Sequence, residues 1–258
     1  MPEAWQVIAA RYGTLETTLS DAYYRWSAYG EPDGPARLDY YFWVLRGEGE
    51  TILVDTGFHP DAGRRRGRTV LIEPTEAMAR LGVTPDTVSR IVLTHLHYDH
   101  TGNLAAFPDA ELLVPAVELE FWLGPMGQRG QFPHHVEEAD LEVLSRAVDE
   151  GRVRPLVGGE EIADEVHALH LGGHSPGQMA LAVFGAGPGV ILASDAVHFY
   201  DELERERPFA VIADLAEMYE AYDTVREVAG DTAHIVPGHD PAVMDRYPRV
   251  EDFAVEIR

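Results

Sequence analysis

The chain has 258 residues, 45% of them hydrophobic, with 20 basic and 44 acidic side chains and a formal net charge of −24. That length and apolar share support a real core, whereas the acidic field repels nucleic-acid phosphates and anionic membrane surfaces. Cysteine and lysine are both absent, which excludes disulfides, thiolate ligands, a cysteine nucleophile and Schiff-base chemistry.

In chain order, "WQVIAARYG" (5–13), "LDYYFWVLRG" (38–47) and "TILVDTG" (51–57) read as strands from their alternation and their β-branched and aromatic content. "GEGE" (47–50) reads as a hairpin tip between the last two. The basic run "GRRRGR" (63–68) reads as a solvated loop rather than a recognition patch. "EPTEAMARLG" (73–82) predicts a short helix with Pro74 near its start and Gly82 past its end, and "TPDTVSR" (84–90) repeats that helix signal. "RIVLT" (90–94) is then a buried strand. The middle of the chain reads as helical, with apolar residues at three-to-four spacing in "AVELEFWLG" (116–124) and "EEADLEVLSRAVDEG" (137–151). Three strand-like runs follow, "EVHALHL", "QMALAVFG" and "GVILASDA". The long helix candidate "IADLAEMYEAYDTVREVAG" and the strand and loop "AHIVPGHD" close the pattern.

A faint internal echo runs through this order. "TILVDTG" resembles "GVILASDA", and "RIVLTHLH" resembles "AHIVPGHD"; each is an apolar strand ending in an acid or a histidine. Two sheets whose strand ends converge on one site would produce it, with helices covering their outer faces. One domain over 1–258 is expected. No run approaches the roughly 20 apolar residues of a membrane span, and "MPEAWQVIAARYG" lacks the order of a secretory signal. A soluble, cytoplasmic protein follows as the expectation.

"THLHYDHTGN" (94–103) concentrates chemistry. In an extended segment His95 and His97 face the same way and can grip one metal, while Asp99 and His100 follow at a turn and can reach a second. Imidazole and carboxylate suit zinc, manganese, cobalt or iron, with zinc the default. His174 in "LGGHSPGQ", Asp195 in "ILASDAVHF" and His239 in "IVPGHDP" complete a set of seven. His134 and His135 are surplus to that set.

The series His-x-His-x-Asp-His, Gly-His-Ser-x-Gly, Ser-Asp and Pro-Gly-His resembles the metallo-β-lactamase-fold hydrolase superfamily, in the family's order and over roughly Tyr40 to Asp240. The resemblance implies an α+β fold, a four-layer αββα sandwich with two divalent metal ions at one edge of its two sheets. It assigns His95, His97 and His174 to one metal and Asp99, His100 and His239 to the other. Asp195 would bridge them, and Asp55 would orient the ligand loop from behind. Within the superfamily, His97 stands where flavo-di-iron proteins carry glutamate, and the missing lysine weighs against a glyoxalase II-like thioesterase. The N-acyl homoserine lactonase group is the most similar. It implies that a bridging hydroxide attacks a lactone or ester carbonyl, with Asp99 passing a proton to the leaving group. Where the best-known lactonases carry a tyrosine three residues after the bridging aspartate, this chain has His198, with Tyr200 close by; either would support the oxyanion.

Substrate contacts are expected from the aromatic loops, at Tyr24, Trp26, Phe121, Trp122 and Phe132. The expected partner is a small lactone or ester, with neither nucleic acid nor membrane; family analogy adds a homodimer. A thioesterase, a phosphodiesterase and a non-enzymatic metal-binding interaction protein are the competing readings.

Overall fold

The computed structural model describes residues 5–47, 49–185 and 187–258. Glu48 of the expected hairpin tip lies outside them, but the strands it joins pair antiparallel from Trp43↔Val54 to Gly47↔Glu50. Among the described residues, fourteen strands form two sheets. The larger contains β1 (Gln6–Thr18), β2 (Pro35–Gly47), β3 (Glu50–Val54), β4 (Thr69–Val70), β5 (Arg90–Val92), β6 (Glu111–Pro115), β7 (Val153–Leu156), β13 (Arg249–Glu251) and β14 (Ala254–Ile257), once β8 (Glu160–Ala163), β9 (Val166–His170), β10 (Met179–Val183), β11 (Val190–Ser194) and β12 (His234–Pro237) are set apart as the smaller sheet. The large sheet runs β13-β14-β1-β2-β3-β5-β6-β7 with β4 on β1, and the small one β12-β11-β10-β9-β8.

Both faces of β2 are buried, which is why "DYYFWVL" reads as an almost unbroken apolar run. Tyr41, Trp43 and Leu45 meet Leu181, Leu192 and Val236 of the small sheet in the central core. Tyr40, Phe42 and Val44 face outward to Met78 and Leu144, on helices Pro74–Arg80 and Glu138–Asp149. On the far side, Met218, Tyr222 and Val225 of helix Leu215–Ala229 cover Ile191 and Ala193. These three cores define the four αββα layers.

The internal echo corresponds to equivalent places in the two sheets. β3 lies parallel to β5, and β11 lies parallel to β12. All four strands therefore point their C-terminal ends the same way within each pair, and the acid or histidine that follows each strand arrives at one sheet edge. Three expectations change. "TPDTVSR" forms a turn rather than a second helix, because Thr87 Oγ1 accepts the amide of Thr84 and donates to the Gly82 carbonyl. The middle is not uniformly helical; β6, β7 and β8 flank its helices. The C-terminal hairpin β13–β14 extends the large sheet beside β1, an element the sequence reading did not anticipate. Among the described residues no helix is long and apolar enough to cross a membrane.

Candidate metal centre

The seven expected ligands come together, although they arise on four separate chain segments. His95 and His97 follow β5, and Tyr98–Thr101 makes one helical turn that brings Asp99 and His100 round beside them. Gly102 permits this turn to pack, since a Cβ there would stand 2.1 Å from the His59 amide nitrogen. His174 is delivered by the loop after β9, where Gly173 takes φ +84° and lies against the backbone of Met218. Asp195 follows β11 and His239 follows β12. Asp55 and Ser194, neighbours of the cluster at two strand ends, hold left-handed backbones with φ 59° and 47°. Such strain costs about 1–3 kcal/mol per residue and persists where surrounding structure enforces it.

Donor atoms group as the resemblance implies. His95, His97 and His174 form one triad, Asp99, His100 and His239 another, each with ligand atoms within 4.8 Å of one another. Asp195 lies between them: its Oδ1 is 3.1 Å from His239 Nε2 and 3.3 Å from His100 Nε2, and its Oδ2 is 3.4 Å from His174 Nε2. His97 Nδ1 and His174 Nε2 stand 2.9 Å apart. Adjacent ligands on a tetrahedral zinc with Zn–N near 2.0–2.1 Å would be about 3.3 Å apart, so these separations fit a shared cation.

The ring orientations fit as well. His100 Nδ1 is held by Asp55 Oδ2 at 2.7 Å, His174 Nδ1 by the Val211 carbonyl at 3.0 Å, and His239 Nδ1 by the Asp39 carbonyl at 2.9 Å. Each pairing leaves Nε2 turned inward with a lone pair. His95 Nε2 and His100 Nε2 are buried with no hydrogen-bond partner among the described residues. Burial holds His95, His97 and His174 well below the usual imidazole value, so they are neutral donors. Burial would raise Asp195, but the surrounding His239, His100 and His198 outweigh it and hold the acid well below the usual carboxylate range.

Asp55 reaches the centre indirectly. Its Oδ1 accepts the Thr94 amide and its Oδ2 accepts Thr94 Oγ1, both at 2.8 Å, in addition to its bond with His100. One buried carboxylate thus ties the end of β5 to the helical turn.

The structure separates the two residues expected to support the oxyanion. His198 is buried, with Nε2 3.2 Å from Asp195 Oδ2, Nδ1 3.4 Å from Glu202 Oε1 and its ring stacked 3.8 Å from Phe209. Burial lowers its pKa, but the two carboxylates prevail and push it up to about 9. It sits behind Asp195 rather than on the cavity wall. Tyr200 turns away altogether: its ring lies under the Arg246 guanidinium at 3.5 Å, partly buried against the core between the sheets.

A cavity of about 390 Å³ opens onto His97, Asp99, His174, Asp195 and His239. Leu15, Ala22, Leu38, Phe209 and Val211 supply its apolar wall. The aromatic residues expected there do not line it. Trp26 packs with Tyr23, Leu38 and Phe199 in a core of its own, because an indole that apolar gains more from burial among rings than from a wet wall. Tyr24 is fixed through its amide to the Pro208 carbonyl. Phe121, Trp122 and Phe132 meet edge to face and enclose a separate space of about 30 Å³ behind His97 and His174. The supposed solvated loop "GRRRGR" is instead partly a helix, Pro60–Arg65, and its Arg66 and Arg68 line the main cavity. His135, set aside at first, stacks on His97 with centroids 5.0 Å apart and also lines it.

Glu118 was missed. Fully buried, it accepts four bonds: Ser175 Oγ at 2.6 Å and the Gly177 amide at 2.7 Å on one oxygen, the Leu96 amide at 2.9 Å and Trp122 Nε1 at 2.8 Å on the other. It joins the His95–His97 segment to the His174 loop. The available signal was a glutamate four residues before Trp122 on the apolar face of "AVELEFW".

Comparison with known proteins places this fold in a family. Residues 37–245 match the family model described as the metallo-beta-lactamase superfamily. The N-acyl homoserine lactonase AiiA of Bacillus thuringiensis subsp. kurstaki is 29% identical over 188 residues, covering 67% of this chain and 70% of that protein. The structure of a quorum-quenching N-acyl homoserine lactone lactonase superposes with a TM-score of 0.77 at 23% identity, covering 99% of each chain. An N-acyl homoserine lactone hydrolase with the product N-hexanoyl-L-homoserine bound at its catalytic metal centre superposes at 0.76 and 22% identity, covering 97% of this chain and 98% of that one.

Proposed function

This chain belongs to the metallo-beta-lactamase superfamily, and we propose that it is a two-metal hydrolase that opens an N-acyl homoserine lactone or a related lactone. The observation that carries the reading is the convergence of two donor triads on Asp195 at ligand-like separations. The likeness to lactonases supplies the substrate class. In this reading His95, His97 and His174 would hold one cation and Asp99, His100 and His239 the other, with Asp195 placed within reach of both. Zinc suits the nitrogen and oxygen donors best.

A pair of divalent cations in such a donor set supplies Lewis acidity, acidifying water and polarising a carbonyl oxygen. The chain's own residues do the rest. The apolar wall of Leu15, Leu38 and Phe209 receives an acyl chain and excludes water from it. Asp99 is on the cavity wall, with Oδ2 3.9 Å from both His100 Nε2 and His239 Nε2. From there it would take a proton from the attacking water and pass it to the leaving alkoxide. His198, clamped between Asp195 and Glu202, positions the Asp195 carboxylate and does not itself contact substrate.

The test is acid release from a long-chain N-acyl homoserine lactone by metal-loaded protein, beside a chelator-stripped control. A rate that vanishes with the metal and returns on its addition is expected. No rate from protein carrying two metals per chain would reject this substrate and direct the search to thioesters and phosphodiesters. On the same assay, Asp99→Asn is expected to lower kcat by about a hundredfold while metal content falls far less. Parallel loss of metal and rate would reduce Asp99 to a ligand only.

A further inference from the structure

Of the two arginines on the main cavity, Arg66 is fully committed. Its Nε binds Glu137 Oε1 at 2.8 Å, and its two terminal nitrogens bind the His134 and Val136 carbonyls. Arg64 and Arg65 likewise have carboxylate partners, Asp61 and Glu137. Arg68 differs. Its Nε donates to Tyr98 Oη at 2.9 Å and its Nη1 to the Arg66 carbonyl at 2.8 Å, which fixes the plane of the guanidinium. Among the described residues Nη2 has no acceptor, and no carboxylate oxygen is within ion-pairing distance of Arg68. The Tyr40 ring, 6.0 Å away, offers only a weak π partner.

Asp99, on the same cavity, acts on this guanidinium only through space; in a chain with 44 acidic residues, a half-buried cation held rigid with no direct carboxylate partner beside the reactive centre is a conspicuous choice. Acids elsewhere on the surface repel anions, so a local guanidinium is what would retain an anionic group once it enters. A planar fork with free donors matches a carboxylate better than it matches a neutral carbonyl.

We propose that Arg68 makes this cavity selective for lactones or esters that carry a carboxylate remote from the scissile carbonyl. The inference rests on the hydrolase reading for the reaction and, within it, favours a carboxylate-bearing related lactone over the neutral N-acyl homoserine lactones; the anion-binding role is separable. Arg68 is a specificity residue here, and it takes no part in bond breaking.

The experiment compares β-carboxy-γ-butyrolactone with its carboxamide, equal in size and differing in charge, on the metal-loaded protein. The acid is expected to be favoured in kcat/KM by about tenfold or more, with the difference in KM. Arg68→Gln should bring the two values together. Tyr98→Phe, which keeps the guanidinium but removes the hydroxyl that fixes it, should reduce the preference without abolishing it. Equal values in the wild type, or an Arg68→Gln variant that loses both activities in proportion, would overturn the proposal and leave Arg68 a brace for the 66–68 turn. Calorimetric titration with glutarate and glutaramate gives a readout independent of turnover. If neither lactone is opened, the hydrolase reading is judged on the N-acyl homoserine lactone assay alone and this inference on the titration alone. A glutarate preference that is present in the wild type and lost in Arg68→Gln would still uphold this inference, and its absence would reject it.

Discussion

Asp195→Ala is expected to lower lactone hydrolysis by about three orders of magnitude, equivalent to about 4 kcal/mol of barrier, and to reduce bound metal from two ions per chain to one or none. The carboxylate lies within 3.5 Å of imidazoles from both donor triads: His100 and His239 on one side, His174 on the other. Removing it takes away a shared ligand and the anion that offsets two cations in a buried site. Elemental analysis after gel filtration measures occupancy directly. Thermal unfolding with and without chelator gives an independent measure, because a ligand that binds only the native state stabilises it by about 4 kcal/mol at a thousand times its dissociation constant. The wild type should therefore melt well below its holo midpoint once stripped, whereas Asp195→Ala should hardly respond. Two metals retained with only a few-fold loss of rate would mean that Asp195 is not shared, and the ligand assignment would fall with it.

The candidate ligands of this centre were legible in the sequence because they follow strands whose apolar runs are unambiguous. β3, β5, β11 and β12 each end in the acid or histidine that acts at the edge, so the echo between "VDTG" and "ASDA" has a geometric basis. Residues of the cavity wall were harder to place. Trp26 and Tyr24 look like pocket aromatics when taken as composition, but tertiary packing decides whether a ring lines a cavity or fills a core, and Trp26 fills one. Arg66 and Arg68 were hidden for the opposite reason. A run of arginines reads as solvated surface, and only the return of the chain through β4 onto β1 brings the end of that run over the Tyr98 turn. Strands β6 and β7 were lost among the helices because a four- or five-residue apolar run between helices has no period long enough to distinguish it. Glu118 was lost because a lone acid on an apolar helix face has no motif; its meaning appears only with the donors gathered around it.

Glu118→Ala should produce the largest loss of stability. The carboxylate is completely buried, and burial raises its pKa against the pull of its four donors from Ser175, Gly177, Leu96 and Trp122. With alanine in its place, two backbone amides, an indole N–H and a hydroxyl are left without partners in a space too apolar to hydrate all of them. Breaking a buried, multiply bonded carboxylate costs about 3–5 kcal/mol, which for a chain of this size corresponds to a fall of about 10 °C or more in Tm. The effect should not stop at stability. Leu96 lies between His95 and His97, and Ser175 follows His174, so the same carboxylate sets the spacing of one complete donor triad. Loosening an outer partner of this kind lowers metal affinity by about 10–100-fold. Glu118→Gln separates the two consequences: it fills the space and keeps one acceptor oxygen, but turns an amide toward the remaining donors. An intermediate Tm with a metal affinity still reduced is expected, measured by competition with a chromogenic chelator. If the glutamine variant binds metal as the wild type does while Tm falls, Glu118 serves packing alone; if both properties survive even in the alanine variant, the cross-brace between the two ligand loops lies elsewhere.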